Sequence, residues 1–146
     1  SPLGRAVTSA GIYTAGTGLQ LHIRDALAEL ACGTWENRER NEVTRGPGAI
    51  RYSWFDKPPG GESYGDAEDR VASFIRELHS DSVPDRVLVV GHAGINRVLL
   101  RLLLDLAPES AQLISCPHNV IYVVHGAEVT ARSTTGVDQT GFYFEE

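Results

Sequence analysis

His92 stands at a position where a histidine can act on a bound anion. It follows the apolar run of residues 86–90 and precedes Ala93 and Gly94. Such a continuous β-branched run is typical of a strand buried on both faces of a parallel sheet. Ligands of open α/β sheets bind at the carboxyl ends of these strands, and the first N–H groups of the following helix attract anions. We therefore expect either an oxyanion site at His92 or a tight turn in which the glycines serve backbone geometry alone.

Arg5 is a second candidate for contact with the same anion. Residues 1–13 repeat apolar side chains at helical spacing, and Ser1 and Pro2 fit the N-cap and first position of that helix. Arg5 would then lie near the amino end, where a guanidinium and free backbone donors can hold phosphate or carboxylate. A solvated surface arginine is the alternative.

Carboxylates follow a short predicted strand over residues 19–23. Asp25, Glu29 and Glu36 all lie in this stretch, and any of them could serve as a general acid. A carboxylate in a loop is more often only solvated. The residue types and their spacing do not decide whether these carboxylates are a general acid or only solvated.

The elements that would position these side chains alternate between strands and helices. Residues 44–61 are rich in glycine and proline and predict a loop whose Trp54 could wall a pocket. Helical periodicity covers residues 63–80 and 95–106, with Pro108 expected to end the second helix, and a hairpin is predicted from strands 120–124 and 129–134. The pattern predicts an α/β fold.

Composition limits the classes of protein. A chain of 146 residues with 42% hydrophobic content fits one domain over residues 1–146. The net charge of −6 disfavours nucleic acid and anionic membranes as partners. Two widely separated cysteines give no disulfide framework, and no apolar stretch is long enough to span a bilayer. We expect a cytoplasmic protein. Because the sequence contains no methionine, we also expect a segment upstream of Ser1.

Four segments together resemble motifs of the histidine phosphatase superfamily, the phosphoglycerate-mutase-like proteins. Residues 1–10 are similar to S-x-L-x-R-A-x-Q-T-A, and residues 27–36 to L-x-E-x-x-x-G-x-W-E. Residues 61–63, with Arg70, are similar to the G-E-S element that opens the family's next helix, and residues 87–97 to V-L-V-V-x-H-x-G-x-x-R. The second motif departs at Asn37, where the family usually has glycine. The resemblance implies a three-layer sandwich with a mostly parallel sheet flanked by helices, in which the first strand is absent from this sequence.

The resemblance also implies roles. A nucleophilic histidine in an R-H-G motif would attack phosphorus, and no such motif occurs here. Its nearest approximation, at His125, is expected to be a hairpin turn. Arg5 would bind the phosphoryl oxygens, His92 would stabilise their charge, and Glu29 would transfer the proton. Apart from the motifs, we expect the substrate to contact Ser1 and Ala93 at the two helix starts and Trp54 in the loop, where Phe55 and Tyr52 could also cover a leaving group. No metal or other cofactor is implied.

The resulting hypothesis is a phosphomonoesterase for a small phosphorylated metabolite, with its nucleophile upstream of this chain. A non-catalytic anion-binding or regulatory member of the fold is the first alternative. A phosphoglycerate-mutase-type phosphotransferase is the second, less favoured because family mutases carry a longer insertion than the stretch from Glu29 to His92. The expected partner is the phosphorylated substrate. A homodimer is also possible, although no sequence feature distinguishes it from a monomer.

Overall fold

A computed structural model describes residues 1–39, 53–80 and 83–144. Within them lie four α-helices and three β-strands: α1 (Gly4–Thr14), α2 (Tyr64–Leu78), α3 (Ala93–Leu104), α4 (Pro108–Gln112), β1 (Val120–His125), β2 (Glu128–Ser133) and β3 (Gln139–Thr140). Two short 3-10 turns precede α2, at Asp25–Leu27 and Gly33–Trp35. None of the helices in the described part of the chain is long and apolar enough to cross a membrane.

Helix α1 forms where the periodicity predicts it, but it begins later than expected. Leu3 is its N-cap and makes no side-chain capping bond. The prediction that Ser1 caps the helix and Pro2 opens it is therefore wrong. Ala6 and Ala10, one turn apart, are the helix residues that are buried, so α1 packs through a narrow face of small side chains.

Helix α2 confirms the predicted helix and its amino end. Ser63 is the N-cap; its hydroxyl accepts from the Asp66 N–H, and the Asp66 carboxylate accepts from the Ser63 N–H. This reciprocal pair is a capping box, which satisfies two backbone donors left free at a helix start. The buried face carries Ala67, Val71 and Phe74, as the apolar spacing predicts.

Helix α3 follows His92, which occupies the N-cap position. Ile95 and Val98 are fully buried, and the helix packs on α2 to form the core. It ends at Asp105 in the left-handed region with φ 50°. Pro108 lies beyond that end and opens α4 as its first residue, a position where the missing N–H of proline has no cost.

The predicted hairpin is confirmed. Strands β1 and β2 pair antiparallel from Val120 opposite Ser133 to His125 opposite Glu128. The two-residue turn between them includes Gly126 at φ 59°, which suits the turns that match strand twist. Strand β3 extends the sheet in the order β1-β2-β3, again antiparallel.

Two runs predicted as strands, the short one at residues 19–23 and the parallel-sheet one at 86–90, form no strand in the part of the chain that the structure describes. Residues 19–23 and 86–90 have no ladder partner there. Val87 and Leu88 are 48% and 52% exposed, although their sequence pattern is that of a strand buried on both faces. A strand forms only against a neighbour that accepts its hydrogen bonds. The α/β class is confirmed, whereas the sheet observed is antiparallel.

Candidate active site

His92 lies at the centre of a cluster drawn from both ends of the described fold. The Arg5 side chain reaches it from α1, and its Nε donates to His92 Nδ1 at 3.2 Å. The Ser1 hydroxyl lies 2.8 Å from His92 Nε2. The Ser1 nitrogen also donates to the Val90 carbonyl at 3.1 Å. The residue that the sequence assigned to a helix cap therefore joins the segment before α1 to the start of α3.

These contacts define the protonation of the His92 ring. A guanidinium can only donate hydrogen bonds, so Nδ1 is the acceptor and is unprotonated. In the neutral ring Nε2 then carries the hydrogen and donates it to the Ser1 oxygen. An anion in the place of the Ser1 hydroxyl would meet the His92 Nε2–H, while the Arg5 guanidinium contacts the other ring nitrogen.

The pKa of His92 is lowered from its ordinary value. Burial of the ring is the main cause; the Glu29 carboxylate acts in the opposite direction, and the Arg5 guanidinium lowers the pKa further. A histidine in such surroundings is held neutral and accepts a proton when a negative ligand arrives. This property suits a group that stabilises developing charge on a phosphoryl oxygen.

Glu29 lies on the amino end of α3 and uses its backbone donors. Its Oε1 accepts from Ile95 N–H at 3.1 Å and from Leu30 N–H at 2.9 Å, and its Oε2 accepts from Gly94 N–H at 3.3 Å. The anion site predicted at this helix start is thus filled in part by a carboxylate of the chain itself. A Cβ on Gly94 would lie 2.6 Å from Glu29 Oε1, so glycine permits this approach.

Ala93 is exposed beside His92, in the position where the sequence predicts contact with a ligand. The amides that donate to the Glu29 carboxylate are those of Leu30, Gly94 and Ile95, the last two being the residues after Ala93. Within the described residues the Ala93 N–H makes no hydrogen bond. Ala93 therefore leaves a backbone donor next to the imidazole.

Trp54 lies elsewhere. It is 2% exposed, and its Nε1 donates to Glu68 at 2.6 Å. Its ring stacks on Tyr64 with centroids 4.7 Å apart and lies beneath the Arg101 guanidinium. These partners belong to α2 and α3, so Trp54 packs in the core and its position gives no support to a role in substrate binding. Of the other aromatic residues in the predicted loop, Phe55 is 71% exposed, and Tyr52 lies outside the described residues.

Two motif segments contact each other through glycine. Gly33 has φ +51°, and a Cβ there would lie 2.2 Å from the Pro59 carbonyl. That carbonyl accepts from the Thr34 N–H at 3.0 Å. Asn37, the point of departure from the family motif, has φ 62°. Asparagine is one of the few residues that adopt this left-handed backbone as glycine does, so the change preserves the local conformation.

The resemblance includes Glu62 and Arg70 in the G-E-S element but predicts no contact between them and no role; the structure places both behind Glu29. Arg70 pairs with Glu62 through Nε at 3.0 Å and Nη2 at 2.8 Å, and it also contacts the backbone that carries Glu29. A single sequence shows an arginine eight residues after a glutamate, which predicts no contact because the glutamate precedes the helix. The pairing becomes visible only in three dimensions.

The other four histidines lie outside the cluster. His22, His79, His118 and His125 are all exposed, and His125 ends β1 beside the hairpin turn. Across the described ranges, no group of three or more His, Cys, Asp or Glu side chains could hold a metal ion.

The fold is of the α/β class and brings Arg5, Glu29 and His92 together at the start of α3, and comparison with known proteins gives the family. The mycobacterial glucosyl-3-phosphoglycerate phosphatase, solved with inorganic phosphate, superimposes with a TM-score of 0.75 over 99% of this chain and 74% of its own, at 24% identity. The family model of the histidine phosphatase superfamily (branch 1) matches residues 1–135. This chain belongs to that superfamily.

Two curated relatives extend the comparison. The adenosylcobalamin/alpha-ribazole phosphatase of Salmonella typhimurium is 29% identical over 115 residues, which cover 75% of this chain and 57% of the relative. A bifunctional protein of Mycobacterium tuberculosis is 32% identical over 109 residues, covering 72% of this chain and 30% of the relative. The chain thus spans about a third to somewhat over half of the curated relatives it matches.

Proposed function

We propose that the protein containing this chain is a phosphomonoesterase for a small phosphorylated metabolite and works through a phosphohistidine intermediate. The observation that carries the proposal is the arrangement of Arg5, His92 and Glu29 around one helix start. An arginine in contact with a histidine suits the binding of a phosphoryl group, because both side chains can donate to its oxygens. A carboxylate beside them suits proton transfer. The phosphatases named among its relatives support hydrolysis in general.

Each residue has a role in the proposed reaction. A histidine nitrogen attacks phosphorus while the bond to the leaving oxygen breaks, and protonated Glu29 gives its proton to that oxygen. Arg5 and His92 hold the phosphoryl oxygens as charge develops on them. Water then attacks phosphorus, Glu29 takes a proton from it, and the phosphorus–nitrogen bond breaks to release phosphate. Ser1 and the Ala93 amide are proposed as further phosphate contacts.

The attacking histidine is proposed to come from outside these 146 residues, on a strand with the R-H-G motif. The sequence has no such motif, and its four other histidines are exposed away from His92. A strand beside residues 86–90 would cover Val87 and Leu88, which are about half exposed. That addition would also create the parallel, three-layer arrangement that the resemblance implies.

Hydrolysis of p-nitrophenyl phosphate by the longest natural product that contains this chain tests the proposal. His92→Ala should lower kcat by about 10²- to 10³-fold, the usual cost of removing one donor to a transition-state oxyanion. His125→Ala, at the exposed end of β1, is the matched control and should leave turnover unchanged. Unchanged turnover in His92→Ala would contradict the assignment.

A non-catalytic anion-binding protein is the second candidate, favoured by the lack of an R-H-G motif in this sequence. It predicts saturable binding of inorganic phosphate that Arg5→Met and His92→Ala abolish, without turnover of any phosphate ester. Turnover that depends on His92 would exclude it.

A further inference from the structure

We infer that Arg70 and Glu62 are positioning residues that hold the Glu29 carboxylate in place; the inference rests on the proposed role of Glu29 in proton transfer. Glu29 lies on an irregular stretch between two short 3-10 turns. Such a stretch lacks the hydrogen-bond ladder of a helix or strand, so its side chains need other contacts to be fixed. The pair of Arg70 and Glu62 supplies them.

Arg70 holds the backbone just before Glu29. Its Nη1 donates to the Ala26 carbonyl at 2.6 Å and to the Ala28 carbonyl at 2.9 Å. Carbonyl oxygens in irregular backbone need partners when they are withdrawn from water. One guanidinium nitrogen satisfies both of them and fixes the peptide that enters residue 29.

Glu62 holds the backbone just after Glu29. Its N–H donates to the Ala31 carbonyl at 2.9 Å, and its Oε2 accepts from the Ala31 N–H at 3.3 Å. The same carboxylate receives Nε and Nη2 of Arg70 at 3.0 and 2.8 Å. The two side chains are about a quarter exposed, at 26% and 22%. Charge-assisted, paired bonds in such partial burial are stronger and more directional than bonds between neutral groups.

The core completes the support of this stretch. Leu27 and Leu30 are 5% and 4% exposed and pack in the hydrophobic core, so residues 27 and 30 are fixed by apolar contacts. Arg70 and Glu62 contact the backbone at residues 26, 28 and 31, next to these two leucines. Glu29 is consequently held from both sides, with its carboxylate directed at the Gly94 and Ile95 amides.

Arginine is required in this arrangement because it uses its planar fork in two directions. Nε and Nη2 face a carboxylate while Nη1 faces two carbonyls. The compact ammonium of lysine cannot reproduce this geometry. Arg70→Lys should therefore behave like a loss of the residue rather than as a conservative change.

The chemical consequence concerns the leaving group. A general acid must lie within hydrogen-bond reach of the oxygen it protonates, and a displacement of about 1 Å can cost on the order of 10²-fold in rate. An alkyl phosphate needs that proton because alkoxide is a poor leaving group. p-Nitrophenolate is a stable anion and leaves without it. Misplacing Glu29 should therefore slow release of the leaving group selectively for alkyl esters. The later hydrolysis of the phosphohistidine also needs Glu29 and slows equally for both kinds of ester, so the first turnover is the step to compare.

The experiment compares glycerol phosphate with p-nitrophenyl phosphate as substrates of the longest natural product that contains this chain. Arg70→Met and Arg70→Lys should lower the rate of alcohol release in the first turnover of the alkyl ester by about 10- to 100-fold. The first-turnover burst of p-nitrophenolate should change by less than about threefold. Arg132→Met, which breaks the exposed pair with Asp138 in the sheet, is the matched control and should leave both first-turnover rates unaffected. Equal losses in the two first-turnover rates would overturn the inference.

A double-mutant cycle separates positioning from general damage. If Arg70 acts through Glu29, Arg70→Met in a Glu29→Gln background should lower alkyl ester turnover no further than Glu29→Gln alone, because coupled residues are not additive. Additive losses would contradict the inference. Glu62→Gln, which keeps the side-chain shape, provides a second variant should Arg70→Met fail to fold.

Amide hydrogen exchange tests the inference without any turnover. In Glu62→Gln and Arg70→Lys, the Gly94 and Ile95 amides should exchange at least tenfold faster than in the parent, while the β2 amides keep their rates. Unchanged exchange at Ile95 would overturn the positioning role. If the parent hydrolyses neither ester, the proposed function fails, and this measurement still decides whether Arg70 and Glu62 hold Glu29.

Discussion

At the scale of single residues, the site depends on which groups share the amino end of α3. The sequence predicts that Arg5, Glu29 and His92 converge, through motifs that are far apart in the chain. It does not predict that the Glu29 carboxylate accepts hydrogen bonds from the Gly94 and Ile95 amides, because a pattern of residue types does not show where a side chain points. The sequence also does not predict the contact between Ser1 and His92. A serine just before a helix is usually its N-cap, and that interpretation assigned the Ser1 hydroxyl to α1.

The lowered pKa of His92 predicts that anion binding takes up a proton. A bound dianion favours the imidazolium and raises the pKa of His92 above its value in the free protein. Affinity should then be greatest at low pH and fall as pH rises through the pKa of the complex. Calorimetric titration with sulfate, which stays a dianion from pH 5.5 to 8, should show this fall. In His92→Gln the affinity should become nearly independent of pH; an equal slope in that variant would assign the proton to another group.

Gly94 and Gly11 should respond to alanine with opposite signs. Both lie in helices, where alanine is favoured over glycine by about 1 kcal/mol. Around Gly11 no atom lies within 4 Å of a new Cβ, whereas at Gly94 the Cβ would meet Glu29 Oε1 at 2.6 Å and Leu30 Cδ1 at 3.0 Å. Gly11→Ala should therefore raise the free energy of unfolding by about 0.5–1 kcal/mol. Gly94→Ala should lower it by about 1–3 kcal/mol. Denaturant unfolding measures both, and stabilisation by Gly94→Ala would refute the close packing of Glu29.

At the scale of elements, helices and the hairpin follow from local pattern, whereas the strands predicted at residues 19–23 and 86–90 do not form within the described residues. The capping box of Ser63 and the spacing of Val71 and Phe74 are readable because a helix satisfies its own backbone. A strand depends on a neighbour that its own residues do not specify. Residues 86–90 have the composition of a buried strand, yet Val87 and Leu88 stay half exposed without one. Trp54 shows a similar limit, because an aromatic residue in a predicted loop can line a pocket or fill the core.

The capping box of α2 predicts a loss of stability in acid. Hydrogen bonds from the Ser63 backbone, followed by the Lys57 ammonium, lower the pKa of Asp66 from 3.8 to about 2. A carboxyl group whose pKa is lower in the folded than in the unfolded protein stabilises the fold when the pH is above the unfolded-state pKa. This contribution disappears as the pH falls through the folded-state pKa. Asp66→Asn should therefore lower the midpoint of thermal unfolding at pH 7 but no longer do so near pH 2. Asp69→Asn, on the exposed face of the same helix, should change it little at either pH. A pH-independent difference for Asp66→Asn would argue against the cap.

At the scale of the whole molecule, the described fold carries the residues proposed for phosphate contact and proton transfer, and the sequence has no R-H-G motif. Exposed apolar side chains lie on the unpaired run of residues 86–90 and also on β1, at Ile121 and Val123. Strand β1 pairs with β2 alone, which leaves one of its edges without a ladder partner in the described residues. Exposed apolar strands with free edges favour the addition of a further strand.

Hydrogen exchange tests the proposal that a further strand lies beside residues 86–90. In the longest natural product, the amides of residues 87–90 should be protected at least tenfold more strongly than in the 146-residue chain. The β2 amides, already paired with β1 and β3, are the internal control and should be protected in both. Equal exchange of residues 87–90 in the two proteins would contradict the proposed sheet.

The central claim, phosphoryl transfer through a histidine held opposite Arg5 and His92, has one direct test. The longest natural product carrying Glu29→Gln should accumulate a covalent intermediate when given p-nitrophenyl phosphate, because this substrate needs no leaving-group proton while release by water needs the carboxylate. Rapid acid-free quenching followed by peptide mass spectrometry should find phosphate on a nitrogen of a histidine in an R-H-G motif. Phosphate on His92, or turnover with no phosphorylated histidine, would contradict the account.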